Sequence, residues 1–161
     1  MSAIPNNAPS VISCGLIKMP RVRSINDMNN TEIVKKAYEC FGTGDIPGLL
    51  ELLSDDIGWT LPVVENAPFS GARKGRAAVG EFFSLLAANE DITHHAPTEF
   101  IAQNDRVVAL GEITATVRST GKTYSTDWVH IFRVTDEKIT NFLEFFDNAA
   151  VTRAFQKSAT A

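Results

Sequence analysis

The chain has 161 residues, 44% of them apolar and 21% charged, with a net charge of −4. That length suits one domain with its own core, and mild acidity without a Lys/Arg cluster argues against nucleic acid or an anionic membrane as partner. Two cysteines, Cys14 and Cys40, form no C-x-x-C pair and lie near no His at metal spacing, so they read as reduced thiols of a cytoplasmic protein and signal no metal site.

Residues 1–27 differ from the rest. They carry three of the seven prolines, an apolar run from Val11 to Ile17, and then Lys18, Arg21 and Arg23. The run is too short to span a bilayer, and its positive charge follows it, where a signal peptide has the charge first. A flexible N-terminal arm is expected over 1–27, with the compact domain over 28–161.

Asn30 is placed to cap a helix from Thr31, in which Ile33, Val34, Ala37, Tyr38 and Phe41 fall on one stripe. Gly42 and Gly44 end it. Asp45 caps a second, short helix with Pro47 in its first turn. A strand is predicted over Ile57 to Val63, with Trp59 and Leu61 on one face. A third helix from Gly75 to Ala88 repeats Val79, Phe82, Phe83 and Leu86 at helical spacing.

The period then changes to two. Strands are predicted over Ile92–Gln103, Arg106–Arg118, Lys122–Thr135 and Lys138–Phe146, joined by turns at Asn104-Asp105, Thr120-Gly121 and Asp136-Glu137. A last helix, Ala149 to Phe155, is capped by Asp147. The whole is an α+β pattern: a cone-shaped, strongly curved, mainly antiparallel sheet, with three N-terminal helices closing an apolar pocket. In the strand 122–135, Tyr124, Thr126, Trp128, His130 and Phe132 share one face; in 138–146, Phe142, Glu144 and Phe146 share one.

Three stretches carry a family resemblance. Gly44-Asp45-Ile46-Pro47-Gly48-Leu49-Leu50 through Asp56, Phe69-Ser70-Gly71 with Gly75-Arg76, and Trp128 to Val134 with Lys138 to Asp147 resemble the ketosteroid isomerase-like, or SnoaL-like, domains of the nuclear transport factor 2-like superfamily. The resemblance spans about residues 30 to 155. It implies the cone fold with His130, Glu144 and Phe146 on the pocket face. Trp128, Tyr124 and Phe142 follow by alternation, and Ala109, Gly111, Ile113 and Ala115 form a small-residue floor.

The same resemblance marks departures. Leu61 holds the place of ketosteroid isomerase's general-base Asp, Ala37 beside Tyr38 that of its oxyanion-hole Tyr, and His130 that of its second oxyanion acid. The water-holding Tyr and Asn of limonene epoxide hydrolase fall on Trp59 and Leu61. Its Asp-Arg-Asp set falls on Ile113, Gly111 and Glu144, so one acid remains, as Glu. Neither mechanism is therefore expected.

His130 and Glu144 are the candidate catalytic pair, an acid–base couple in an apolar cavity. Tyr38, Trp59, Leu61, Phe82, Ile113, Tyr124, Trp128 and Phe146 are the candidate binding residues. His94 and His95 point to opposite faces, so they cannot jointly bind one metal; which of them reaches the pocket is open. The expected function is a cofactor-independent lyase, isomerase or polyketide-cyclase-like enzyme acting on a small apolar carbonyl or hydroxyl compound. The alternatives are a non-catalytic ligand-binding protein of the same fold and a protein-interaction module. With His130 and Glu144 inward, Val129, Ile131, Leu143 and Phe145 form an outer apolar band, which predicts a homodimer packed through it or, alternatively, cover by the C-terminal segment.

Overall fold

The structure, a computed structural model, describes residues 25–158, with side chains from residue 29. Helix α1 (Ile25–Thr43) begins six residues ahead of the predicted Thr31. Asn30 is not its cap. The Asn30 amide instead donates to the Asn104 carbonyl at 3.1 Å, in the turn between two distant strands. The expected arm boundary at residue 27 therefore falls inside α1, and the Val11–Ile17 run lies outside the described residues. The predicted stripe holds: Val34, Ala37 and Cys40 are buried, and Ile33, Tyr38 and Phe41 pack against the core.

α1 stops at Gly44, whose φ of 74° suits glycine. The Asp45 N–H bonds back to the Cys40 carbonyl and the Gly44 N–H to that of Phe41, a Schellman ending. Asp45 then caps α2 (Ile46–Glu51) by accepting from the Gly48 N–H at 3.0 Å.

β1 (Leu53–Thr60) starts and ends earlier than predicted, because its limits follow its two partners. It runs parallel to the last strand and antiparallel to β2 (Ala72–Lys74), a three-residue strand the periodicity did not reveal. Helix α3 (Arg76–Asn89) is followed by β3 (Glu90–Gln103), β4 (Arg106–Val117), β5 (Thr123–Thr135) and β6 (Lys138–Phe146), all close to prediction. Asp136 and Glu137 both take positive φ, 50° and 60°, as a two-residue hairpin turn requires. Helix α4 (Asn148–Phe155) is capped by Asp147, which accepts from the Ala149 and Ala150 N–H groups.

The sheet has six strands in the order β2-β1-β6-β5-β4-β3 and is not closed. Its concave face takes the helices, and Leu53, Ile57, Val79, Val107 and Trp128 are buried there. No helix among the described residues is long and apolar enough to cross a membrane.

Candidate active site

The site begins with strand register. β5 and β6 are antiparallel, and His130 stands directly opposite Glu144, with Trp128 opposite Phe146 and Phe132 opposite Phe142. On the other side of β5, Ala109, Gly111, Ile113 and Ala115 of β4 face His130, Trp128, Thr126 and Tyr124 in turn. Gly111 matters most in this row. An added Cβ there would run into the Trp128 ring and the Ala96 carbonyl, so only glycine lets that indole lie flat on the sheet. Trp128 in turn stacks on His130, with centroids 3.9 Å apart and planes at 16°.

His130 is 5% exposed and bonded at both ring nitrogens. Nε2 lies 2.9 Å from Glu144 Oε1, and Nδ1 lies 2.7 Å from the Tyr38 hydroxyl. The partners decide the roles. A carboxylate only accepts, so Nε2 carries the hydrogen, and Nδ1 accepts from the Tyr38 O–H. Tyr38 can make that bond because α1 lays it over the sheet. Burial, and then the Glu144 charge, hold its phenol well above the ordinary tyrosine range, so it stays a neutral donor.

β3 contributes by breaking its own alternation. A bulge between Ile92 and His94 sends His94 outward, where it is exposed 3.9 Å from Glu112, and turns His95 inward. The His95 ring stacks on Trp128 at 4.9 Å and 12°, which makes a row of three rings, His95, Trp128 and His130. Burial first, then the neighbouring His130 and His94, pull the His95 pKa down to about 4, so it is neutral at neutral pH.

A second polar pair stands along the same wall. Glu90, at the start of β3, is 3% exposed and accepts a hydrogen bond from the Tyr124 hydroxyl at 2.8 Å. Burial pushes its carboxyl up to about 7, with the Glu144 charge adding and the Tyr124 bond opposing.

These groups border one cavity of about 100 Å³, mostly apolar. That is the scale of the roughly 150 Å³ engineered cavity that admits benzene. Of the sequence-predicted residues, His130, Glu144, Tyr38, Trp59, Leu61 and Phe82 border it, and so do Ile113, Tyr124 and Phe146. Trp128 does not; it is 1% exposed and packs behind the wall as a support for His130. In the sequence Glu90 looks like a surface acid after a helix, and no local pattern signals its bond to Tyr124 or the bond of Tyr38 to His130. The indole N–H groups of Trp59 and Trp128 are buried with no acceptor among the described residues. No three His, Cys, Asp or Glu among the described residues converge as metal ligands.

Residues 34–142 match the SnoaL-like domain family. An NTF2-like protein from Burkholderia xenovorans LB400 is 34% identical, with a TM-score of 0.75 over 83% of this chain and 100% of that one. TerC, co-crystallized with polyporic acid, is 30% identical, with a TM-score of 0.72 over 79% of this chain and 98% of that one. A protein from Xanthomonas campestris pv. campestris, provisionally named a polyketide cyclase, is 22% identical over 81% of this chain and 99% of that one, and its TM-score of 0.65 shows the shared fold. None of the curated proteins matches the chain.

Proposed function

Since the chain belongs to the SnoaL-like domain family, we propose that its cavity houses a cofactor-independent lyase, isomerase or cyclase that moves protons on a small, largely apolar carbonyl or hydroxyl compound. The observation that carries this reading is the hydrogen-bonded row Tyr38–His130–Glu144, both ends of which border the cavity.

In this reading His130 is a relay rather than a free base, because both its nitrogens are engaged. A substrate proton, from a hydroxyl or a carbon beside a carbonyl, passes to the Tyr38 oxygen. The tyrosine's own proton passes to Nδ1, and the Nε2 proton to Glu144. Return of a proton from Glu144 to another atom of the same substrate completes an isomerisation; delivery to a departing hydroxyl, which leaves as water, completes an elimination. The imidazole is then protonated at Nδ1, and the reverse shift restores it: a solvent proton enters through Glu144 to Nε2 while the Nδ1 proton returns to Tyr38 and the tyrosine's proton leaves to solvent. A buried, neutral Tyr38 suits the relay, since it gives up one proton as it gains another. TerC, 30% identical and crystallized with polyporic acid, supports a small organic ligand.

A non-catalytic binder is the second reading. It draws on the same bonds: the row is satisfied within the protein and can simply close a polar core. A screen of small carbonyl compounds and epoxides separates the two. His130→Gln and Glu144→Gln should each cut turnover by roughly 10²–10⁴-fold and leave affinity largely intact, and the losses should not add, because the groups act as a unit. Compounds that bind the parent and both variants alike, with no turnover in the parent, would leave the binder.

The outer face supports a homodimer. Register sets Val108, Ile131 and Leu143 in one row and Leu110, Val129 and Phe145 in the next, and Phe145 is 51% exposed. Such a patch favours burial against a second copy. Light scattering should give a dimer for the parent and a monomer for Phe145→Lys; a monomeric parent refutes this assignment.

A further inference from the structure

Glu90 is a buried carboxyl that the relay leaves unused. It borders the same cavity as Glu144 and is held by one hydrogen bond, from Tyr124. Among the described residues the cavity wall carries no Lys or Arg. Two carboxyl groups thus share an apolar enclosure with no cation. Tyr124 and His130 lie on the same face of β5 with Thr126 and Trp128 between them, so the two polar stations stand apart along one strand. Ile92, Ile113 and Phe146 border the cavity beside them and are apolar.

We propose that the cavity takes neutral compounds with two polar groups joined by an apolar skeleton, one group held at Tyr38–His130–Glu144 and the other at Glu90–Tyr124. This rests on reading the cavity as the ligand site, but not on turnover. An anion would face two carboxyls with no counter-charge. An ammonium would give up its hydration for carboxyls already bonded to Tyr124 and His130, a costly exchange in an apolar site. A neutral ligand avoids both penalties.

The state of Glu90 fits this choice. With its pKa at about 7 it keeps a proton in much of the population near neutrality, and the acid form can donate to a ligand oxygen while still accepting from Tyr124. The groups facing it are Tyr124 from β5 and Glu144 from β6. α3 brings Leu86 and α4 Val151 to the cavity, and Arg118, just past β4, lies 3.7 Å from the exposed Asp91.

The test is calorimetric titration of the full chain at pH 6 with para-hydroxyacetophenone, which has two polar ends, against para-ethylphenol, which keeps only the hydroxyl that donates to Glu144. The two-ended ketone should bind about tenfold tighter, the scale of one hydrogen bond in a dry site. Glu90→Met should erase that advantage and keep the para-ethylphenol affinity; if it fails to fold, Glu90→Leu decides. Equal affinity in the parent, no binding of either compound, or an advantage that survives loss of the Glu90 carboxyl overturns the proposal. So does tighter binding of para-hydroxybenzoate or para-hydroxybenzylamine. Turnover is a separate readout. A two-ended preference in a parent that converts nothing refutes the proton-transfer reading alone. Turnover of one-ended ketones without any preference refutes only the two-station reading.

Discussion

Tyr38, His130 and Glu144 come from three elements, α1, β5 and β6, and leave neither imidazole nitrogen free. Glu90 and Tyr124, from the first residues of β3 and β5, make one hydrogen bond between them. Both clusters border the same cavity, yet the first is braced by stacked rings and the second is an acid held near its titration point by burial. The difference teaches that burial alone does not set a group's behaviour. The number and kind of its partners decide how tightly a buried polar cluster is held.

Titration sharpens this contrast most. The Glu90 carboxyl titrates at about 7 in the folded chain against 4.5 ordinarily. The folded form holds the extra proton between these values, so its contribution to stability is full below pH 4.5 and is lost as pH rises through 7. His95 runs the other way. Its pKa is about 4 against 6.5, so its contribution is full above pH 6.5 and is lost as pH falls through 4. Each effect is on the order of 3 kcal/mol. Glu90→Gln should therefore gain on the parent at pH 8 and little at pH 4, and His95→Phe should gain at pH 4 and little at pH 8. Urea unfolding across this range checks both; parallel curves for parent and variants would contradict the assignment.

Gly111→Ala should strike the first cluster and spare the second. The new methyl meets the Trp128 ring and the Ala96 carbonyl, and Trp128 has no room to yield. Overpacking of this kind costs about 1–3 kcal/mol. Thermal unfolding and near-UV circular dichroism should both report it, with the Glu90 pH step unchanged.

The same substitution at the two tyrosines gives a smaller contrast. Tyr38→Phe leaves His130 Nδ1 without its donor and should cost about 1 kcal/mol. Tyr124→Phe should cost less at acidic pH, because Glu90 can keep its proton, and should move the Glu90 step to higher pH, because the Tyr124 bond is what lowers it. Equal losses with no shift in the step would break the comparison.

Removing residues 1–24 should matter least. They precede α1 and carry no periodic apolar stripe, so the stability change should stay within about 0.5 kcal/mol. A larger fall in melting temperature would tie the Val11–Ile17 run to the fold or to a second copy.

Much of this fold was legible because β alternation and helix capping are local. The strand limits of β4, β5 and β6 came within one residue, and Asp45 and Asp147 cap the helices expected of them. The inward face of β5 followed from alternation, once the family resemblance had chosen between the two faces. The start of α1 was misjudged because Asn30 reads as a cap, and its actual partner, Asn104, is 74 residues away.

What the sequence by itself determined is the set of side chains offered to each face of each strand, since a period of two is a property of the chain alone. What only the tertiary structure decided is which of them meet. The bulge after Ile92 chose His95 over His94 through its pairing with β4. Tyr38 reached His130 across 92 residues of chain, and Glu90 reached Tyr124 across 34. These bonds depend on how helices settle into a curved sheet, where packing selects one arrangement among many that share the same local pattern.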